Sequence, residues 1–284
     1  MPAAGPKSLS SVTSLTVLDR SSFTAELDGK WSVASKIHGG YLVALAARAA
    51  AASAEPAGLT EVAPLDVLVA SSQFCRAPKP GPIALRTREI RRSKSYTVIS
   101  VEVVQEEGVC LNASFTLGVL STEPKLGFRW DAGVPARPVT RFDEAVRLRP
   151  PPSLMPVDLF EQVDVRIDPD SLGFMSLQPS GKGEIRGWVS LPDGESFDSW
   201  SLHFAVDALP PATYDVEFTG WVPTVQLTSF VRARPAPGPV QVVHRAHLID
   251  GGLVDETCHV WDVAGRLVAQ GTQIAAHRPG ASKR

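Results

Sequence analysis

The chain has 284 residues, of which 44% are hydrophobic and 20% are charged. This composition is typical of a globular protein and excludes disorder of the whole chain, and the length suffices for one large or two medium domains. The formal net charge of -2 gives no overall field that would recruit nucleic acid or an anionic membrane surface, so any anion site must be local.

The three cysteines, Cys75, Cys110 and Cys258, are an odd number without paired metal-ligand spacing. They indicate neither a disulfide framework nor a zinc site, and they favour a reducing, cytosolic setting. The opening residues, MPAAGPKSLSS, lack the apolar run of a signal peptide. The most apolar stretch, GYLVALAARAAAASA, is rich in alanine and interrupted by Arg48, so we expect no membrane span.

The first half of the chain predicts one helix followed by antiparallel strands. GGYLVALAARAAAASA, from Gly39, places Leu42, Leu45 and Ala49 on one stripe and therefore reads as a helix with a face to bury. IALRTREIRR and YTVISVEVVQ are enriched in β-branched residues and alternate in part, which is typical of neighbouring strands. GVCLNASFT adds a turn glycine followed by another strand-like run.

A proline-rich segment separates the halves, with six prolines between residues 121 and 153. Proline suppresses regular structure, so we expect an extended connector there. The predicted division is therefore an N-terminal unit over residues 1–122, a connector over 123–153 and a C-terminal unit over 154–284.

The second half repeats the order of the first. SWSLHFAVDALPPAT, from Ser199, predicts a helix with Asp198 or Ser199 as its N-cap, and VQVVHRAHLI and ETCHVWDV predict neighbouring strands. Two copies of one helix plus an antiparallel sheet, without a βαβ rhythm, favour an α+β architecture in which each sheet wraps its helix.

Two matching stretches, FCRAPKPGPI from Phe74 and FVRARPAPGPV from Phe230, support an internal repeat of 157 residues. The repeat places Gly81 on Gly238. At the same offset GVCLNASFT falls on GRLVAQGTQ, which places Thr116 on Gln273.

This layout, with IHGGYLVALAARAA, ASSQFCRAPKPGPI, GVCLNASFTLG and GRLVAQGTQIAAHR, resembles the type II acyl-CoA thioesterases. The resemblance implies a double hotdog fold, an acyl-CoA or related acyl thioester substrate, and hydrolysis by an activated water without a metal or organic cofactor. Hotdog units often assemble further, so it also allows a homo-oligomer.

The family holds its attacking water with an Asp, a Thr or Ser, and a Gln in the second half. The resemblance implies Asp207, ahead of a Leu-Pro turn, as the catalytic carboxylate. It implies Thr224, with Thr228 as the alternative, and Gln273, with Gln270 as the alternative. Where several family members have Thr-x-Asp-His-Ser, this chain reads TVQLT, and its Gln226 is a competing amide.

Each of these residues also has an ordinary structural role to exclude. Asp207 could lie on a solvated helix face, and a strand threonine or glutamine is more often a bystander. Thr116, as the counterpart of Gln273, would leave the first half without a glutamine, which predicts one active site per chain.

Two further segments are candidates for substrate binding. His38, Gly39 and Gly40 stand at a predicted helix N-terminus, where free amides could polarise the thioester carbonyl, although they also read as a plain helix-entry turn. The cluster Arg91, Arg92 and Lys94 could contact the phosphates of CoA, or it could be a solvated hairpin end.

Two alternative functions remain open at this point. Hotdog-type enoyl-CoA hydratases use an Asp and a His separated by four residues, and Asp198 and His203 have that spacing, although without the usual Asn-Pro between them. The other alternative is an acyl-CoA-binding protein with an incomplete polar trio, for which the TVQLT strand is the best support.

Overall fold

One antiparallel sheet runs through both halves of the protein in a computed structural model, which describes residues 5–54, 65–106, 108–120, 130–149 and 156–277. Thirteen of the described strands form it, in the order β1-β2-β6-β7-β8-β5-β12-β15-β14-β13-β11-β10-β9. The remaining two, β3 and β4, form a short hairpin of their own.

The strands of the first half are β1 Thr16–Asp19, β2 Ser22–Leu27, β3 Ser32–Val33, β4 Lys36–Ile37, β5 Asp66–Phe74, β6 Gly81–Arg92, β7 Thr97–Gln105 and β8 Gly108–Gly118. Those of the second half are β9 Val146–Arg147, β10 Asp164–Ile167, β11 Glu184–Ser190, β12 Thr224–Val231, β13 Val240–Asp250, β14 Leu253–Trp261 and β15 Leu267–Ala276. The α-helices are α1 Leu9–Val12, α2 Gly39–Ala54, α3 Leu159–Gln162 and α4 Leu202–Ala205.

The halves have the same strand order on either side of a central pair, β5 and β12. The run β2-β6-β7-β8-β5 mirrors β11-β13-β14-β15-β12, and β5 joins β12 with Ser71 opposite Thr228. These two residues are also 157 positions apart, as the repeat predicts. Gly81 and Gly238, matched by the repeat, have φ values of 121° and 125°. Because only glycine adopts that region readily, the shared Pro-Gly-Pro is one turn used twice.

The α+β architecture is confirmed, with α2 as the main buried helix. It packs against β5, β6, β7 and β8, and Leu42, Leu45 and Ala49 of the predicted stripe are all buried. α4, in the second half, packs against α2, β12 and β15.

The second helix is much shorter than the sequence predicts. Only Leu202–Ala205 is α-helical. The backbone hydrogen bonds around it are a mixture of bonds to the residue four back and bonds to the residue three back, such as the Asp207 N–H to the Phe204 carbonyl. Pro210 and Pro211 follow after residues 206–209 and prevent a helix from continuing through them. The Asp198 carboxylate accepts from the Trp200 and Ser201 amides and so caps the turn that leads into the helix, whose own N-cap residue is Ser201.

The described part of the connector packs onto the second half. Leu148 is buried in the core, β9 pairs with β10, and the Thr140 carbonyl accepts from Trp188 and Gln241. Residues 123–129 and 150–153 of the predicted connector lie outside the described residues. The boundaries at 122 and 153 therefore stay a prediction.

Thr116 is not the structural counterpart of Gln273. Gln273 stands opposite Leu227 of β12, and the residue opposite Ala70, at the matching place in β5, is Phe115. The offset fails here because Gly108 begins β8, whereas Gly265 lies in the turn before β15. The matching position in the first half still carries no glutamine.

Candidate active site

A cavity of about 340 Å³ lies between the two halves and has mainly apolar walls. Its polar lining includes all three residues of the expected trio, Asp207, Thr224 and Gln273, together with His38. Its apolar wall includes Val33, Leu42, Phe74, Leu148, Phe160, Phe174, Met175, Leu209, Tyr214, Phe218 and Trp221. The trio therefore faces a space that suits an acyl chain.

Asp207 is held at the contact between the two buried helical segments. It follows α4, and its Oδ2 accepts from the Gly40 amide at the N-terminus of α2, at 2.6 Å. The positive end of the helix dipole stabilises a negative charge there. Its side chain is only 15% exposed, so the interpretation as a solvated helix face is wrong. A carboxylate can accept about four hydrogen bonds, which leaves capacity for a water in the cavity.

The neutral imidazole ring of His38 orients Asp207. Its Nδ1 accepts from the Tyr41 amide at 3.3 Å, so the proton belongs on Nε2, which donates to the Asp207 carbonyl at 3.0 Å and lies 3.6 Å from Oδ2. Burial lowers the pKa of His38, against the opposing effect of the Asp207 charge. The neutral tautomer is therefore consistent with both the contacts and the burial.

The two glycines allow α2 to approach Asp207 closely. A Cβ at Gly39 would lie 2.9 Å from Asp207 Oδ2 and 3.2 Å from the Phe74 ring. A Cβ at Gly40 would lie 2.9 Å from Asp207 Cβ and 3.0 Å from the Phe204 carbonyl oxygen. A side chain at either position must displace the carboxylate, so the pair is more than a helix-entry turn.

We expect Gly40→Ala to lower thioester turnover on the order of 100-fold, since a displacement of about 1 Å at a reacting group has an effect of that size. The measurement is kcat by free-thiol release. Gly133→Ala is the matched control, because a Cβ at Gly133 meets nothing within 4 Å. Unchanged turnover in Gly40→Ala would show that Asp207 does not need its present position.

Thr224 and Gln273 are joined to each other and to a third residue, Glu256. The Thr224 hydroxyl donates to Gln273 Oε1 at 3.0 Å, and Gln273 Nε2 donates to Glu256 Oε2 at 2.6 Å. The contact forms although Thr224 and Gln273 are not directly paired, because β12 has a register shift between Thr224 and Gln226. The strand irregularity thus turns the threonine towards the glutamine.

The alternatives to Thr224 and Gln273 lie elsewhere. Thr228 is 3.4 Å from the Ser71 hydroxyl and alternates with the buried Leu227 and Ser229, so it is on the outer face of the sheet. Gln270 accepts from Arg232 at 2.8 Å. Gln226, the competing amide, is exposed. None of these three side chains lines the cavity.

We expect Thr224→Val to lower kcat on the order of 100-fold, the effect typical of losing one positioned hydrogen-bonding group in an active site. Thr228→Val removes the same hydroxyl from the same strand on the outer face, and it should retain nearly full turnover. Kinetics of both variants with one acyl-CoA make the comparison. Equal losses would place both threonines outside the chemistry.

The structure does not bring Arg91, Arg92 and Lys94 to the cavity. Arg92 donates to Glu89 and to the Ala54 carbonyl near the end of β6, and none of the three lines the cavity. The cationic side chains among the lining residues are Lys36 and Arg76. Arg76 stands inside the quoted FCRAPKPGPI motif, but its place at the cavity follows from where β5 ends.

Asp198 and His203 do not form a hydratase pair. Asp198 caps the turn that leads into α4, and burial raises the pKa of its carboxyl. His203 is fully buried, with Nδ1 2.7 Å from the Ser229 hydroxyl and Nε2 3.3 Å from the Val67 carbonyl. Neither residue lines the cavity.

Neither a thiolate at the buried Cys258 nor a metal site is indicated by the described side chains. Burial, and after it the charges of Asp207 and Glu256, raises the pKa of Cys258 and keeps it a thiol. Within the described ranges, no three His, Cys, Asp or Glu side chains are grouped to hold a metal ion. In the same ranges, no helix has the length and apolarity to cross a membrane.

Two family models match the chain. The acyl-CoA thioesterase N-terminal domain matches residues 27–118, and the acyl-CoA thioesterase C-terminal domain matches residues 137–276. Uncharacterised proteins of Mycobacterium bovis and Mycobacterium tuberculosis are 31% identical over 270 residues, which is 89% of this chain and 90% of theirs.

The solved structures agree with the fold. A crystal structure from Thermobifida fusca, provisionally described as a thioesterase II, has a TM-score of 0.81 at 29% identity and covers 94% of this chain and 98% of its own. A hot dog protein of unknown function from Alicyclobacillus acidocaldarius has a TM-score of 0.79 at 20% identity, covering 96% and 98%. The acyl-CoA thioesterase II of Mycobacterium marinum has a TM-score of 0.65 at 16% identity, covering 97% and 99%. With its double hotdog fold and both matching domains, the chain belongs to the acyl-CoA thioesterase family.

Proposed function

We propose that this protein hydrolyses acyl-CoA thioesters at one site per chain, with a water activated by Asp207 and held by Thr224 and Gln273. The observation that carries the proposal is that these three residues line one apolar cavity. An incomplete trio, the argument for a protein that only binds acyl-CoA, is thereby disfavoured. The exposed Gln226 does not compete with Gln273.

The reaction follows from the chemistry of these groups. The water oxygen attacks the thioester carbon while Asp207 takes a proton from the water. An electron pair of the C=O bond moves onto the carbonyl oxygen. Collapse of this intermediate breaks the C–S bond, and the CoA thiolate takes the proton from Asp207. The products are the carboxylic acid and free CoA.

The oxyanion needs a donor at the other side of the reacting carbon. Gly40 already donates to Asp207, whereas Gly39 lines the cavity at the positive end of α2. The Gly39 amide is therefore the proposed oxyanion donor, assisted by the helix dipole.

The two parts of the substrate would meet different walls. The apolar lining suits a fatty or related acyl group, and Lys36 and Arg76 would attract the phosphates of CoA. The proposal also includes a cytosolic setting. It is supported by the cysteines, because all three are free thiols.

Free-thiol release from a panel of acyl-CoAs, from C2 to C18 plus an aromatic acyl group, tests the proposal. We expect saturable turnover with at least one member and a large loss in Asp207→Asn. Saturable binding without turnover would establish the acyl-binding function instead. An enoyl-CoA is added to the panel and followed by product analysis as well, and its hydration with no thiol released would establish the hydratase function.

A further inference from the structure

Glu256 is a carboxylate on the buried face of β14. It alternates with the buried Val254 and Cys258, and the residue is only 2% exposed. Its Oε1 accepts from the Thr213 amide at 3.2 Å, and its Oε2 accepts from Gln273 Nε2 at 2.6 Å. A buried carboxylate is costly unless its oxygens are hydrogen-bonded, so a specific role is expected for it.

The chemistry of Glu256 determines which way the Gln273 amide points. A carboxylate accepts hydrogen bonds and does not donate them, so Gln273 must turn its NH₂ group towards Glu256. Its Oε1 then points towards Thr224. Since that oxygen only accepts, the Thr224 hydroxyl has to donate to it, as the 3.0 Å contact shows.

We propose that Glu256 is a positioning residue of the site, which fixes the Gln273 amide so that the attacking water meets hydrogen-bond acceptors. This inference rests on the proposed thioester hydrolysis. Glu256 acts through Gln273 and does not line the cavity.

The fixed orientation matters for the nucleophile. One O–H of the water can donate a hydrogen bond to Gln273 Oε1 or to a lone pair of Thr224 Oγ1, and the other O–H donates to Asp207. The lone pairs of the water oxygen are then left free to attack the thioester carbon. With the amide reversed, Gln273 would donate an N–H to the water oxygen and occupy one of those lone pairs.

Glu256→Gln tests the inference, because it keeps the size of the side chain but lets it donate. The carboxylate accepts from Thr213 with one oxygen and from Gln273 with the other, whereas the new amide has only one oxygen. If its NH₂ group faces Gln273, the Gln273 amide has to reverse so that its own oxygen accepts. With the acyl-CoA turned over fastest by the wild type, we expect kcat to fall on the order of 10- to 100-fold, with KM within about threefold.

A double-mutant cycle separates positioning from structural support. If Glu256 acts through Gln273, adding Glu256→Gln to Gln273→Ala should cost no further kcat. Multiplying losses would overturn the inference, as would a single Glu256→Gln variant with unchanged kcat. If Glu256→Gln does not fold, Glu256→Asp replaces it, because aspartate withdraws the acceptor by one methylene. We expect a smaller loss of kcat in Glu256→Asp, and an unchanged kcat would contradict the inference.

Nuclear magnetic resonance of ¹⁵N-labelled protein gives a readout that does not need activity. The Gln273 side-chain NH₂ signals, identified by their loss in Gln273→Ala, should include one downfield proton in the wild type, shifted back in Glu256→Gln. Unmoved signals would overturn the positioning role. Absence of turnover by the wild type, with these signals behaving as expected, would instead contradict the hydrolysis and leave the Glu256–Gln273 contact standing.

Discussion

Asp207→Asn should lower kcat by about 10²- to 10⁴-fold, the range that a positioned general base contributes. The new amide can still present its oxygen to the Gly40 amide, which now donates to Asp207 Oδ2. The other terminal atom becomes an NH₂ group, which cannot take a proton from water. The loss should therefore fall on kcat, with KM within about threefold, because the apolar lining that would hold the acyl group is unchanged.

Asp198→Asn is the matched control for this change. It makes the same substitution at a carboxylate that caps the turn leading into α4 and does not line the cavity. We expect it to retain turnover per folded molecule while losing some thermal stability. Retained turnover in Asp207→Asn, or an equal loss in both variants, would remove Asp207 from the role of base.

The elements with strong local signals could be predicted from the sequence. α2 begins at the predicted Gly39, β6 covers the expected strand IALRTREIRR, and β7 begins one residue after the start of the expected YTVISVEVVQ. The Gly81 and Gly238 turns follow from a backbone conformation that only glycine adopts readily. These features depend on periodicity and turn chemistry, which are local properties of the chain.

The sequence predictions that are wrong concern strand register and the tertiary placement of side chains. The repeat offset matches Thr116 to Gln273, but the turns before β8 and β15 differ, so Phe115 takes that place. The sequence predicts phosphate contacts for Arg91 and Arg92, but only the path of the chain decides whether the end of β6 meets the cavity.

Glu256 is the most informative residue that the sequence prediction missed. A glutamate in ETCHVWDV reads as a polar residue on the outer face of a strand. The available signal was its parity with Val254, Cys258 and Val260, which places it on the apolar face. Its partner in β15 could not be foreseen, since pairing Glu256 with Gln273 requires the register of two strands.

His203 predicts a loss of stability in acid. Burial lowers its pKa to about 4 from the ordinary 6.5. Between these two pH values the histidine binds a proton in the unfolded chain but not in the native chain. The free energy of unfolding therefore falls as the pH drops from 6.5 towards 4. The full contribution is present above pH 6.5, and the loss by pH 4 is about 3 kcal/mol.

His203→Gln removes the titrating ring and tests this contribution. The variant should be less stable than the wild type at pH 7.5, because the contacts of the ring with Ser229 and Val67 are disturbed. The difference between the two proteins should shrink by about 3 kcal/mol on going to pH 4, measured by urea unfolding at several pH values. Ser229→Ala keeps the ring and removes its partner hydroxyl, so its stability should fall in acid as the wild type does. Parallel curves for the wild type and His203→Gln would mean that the buried ring does not resist protonation, and the acid sensitivity would have to come from other groups.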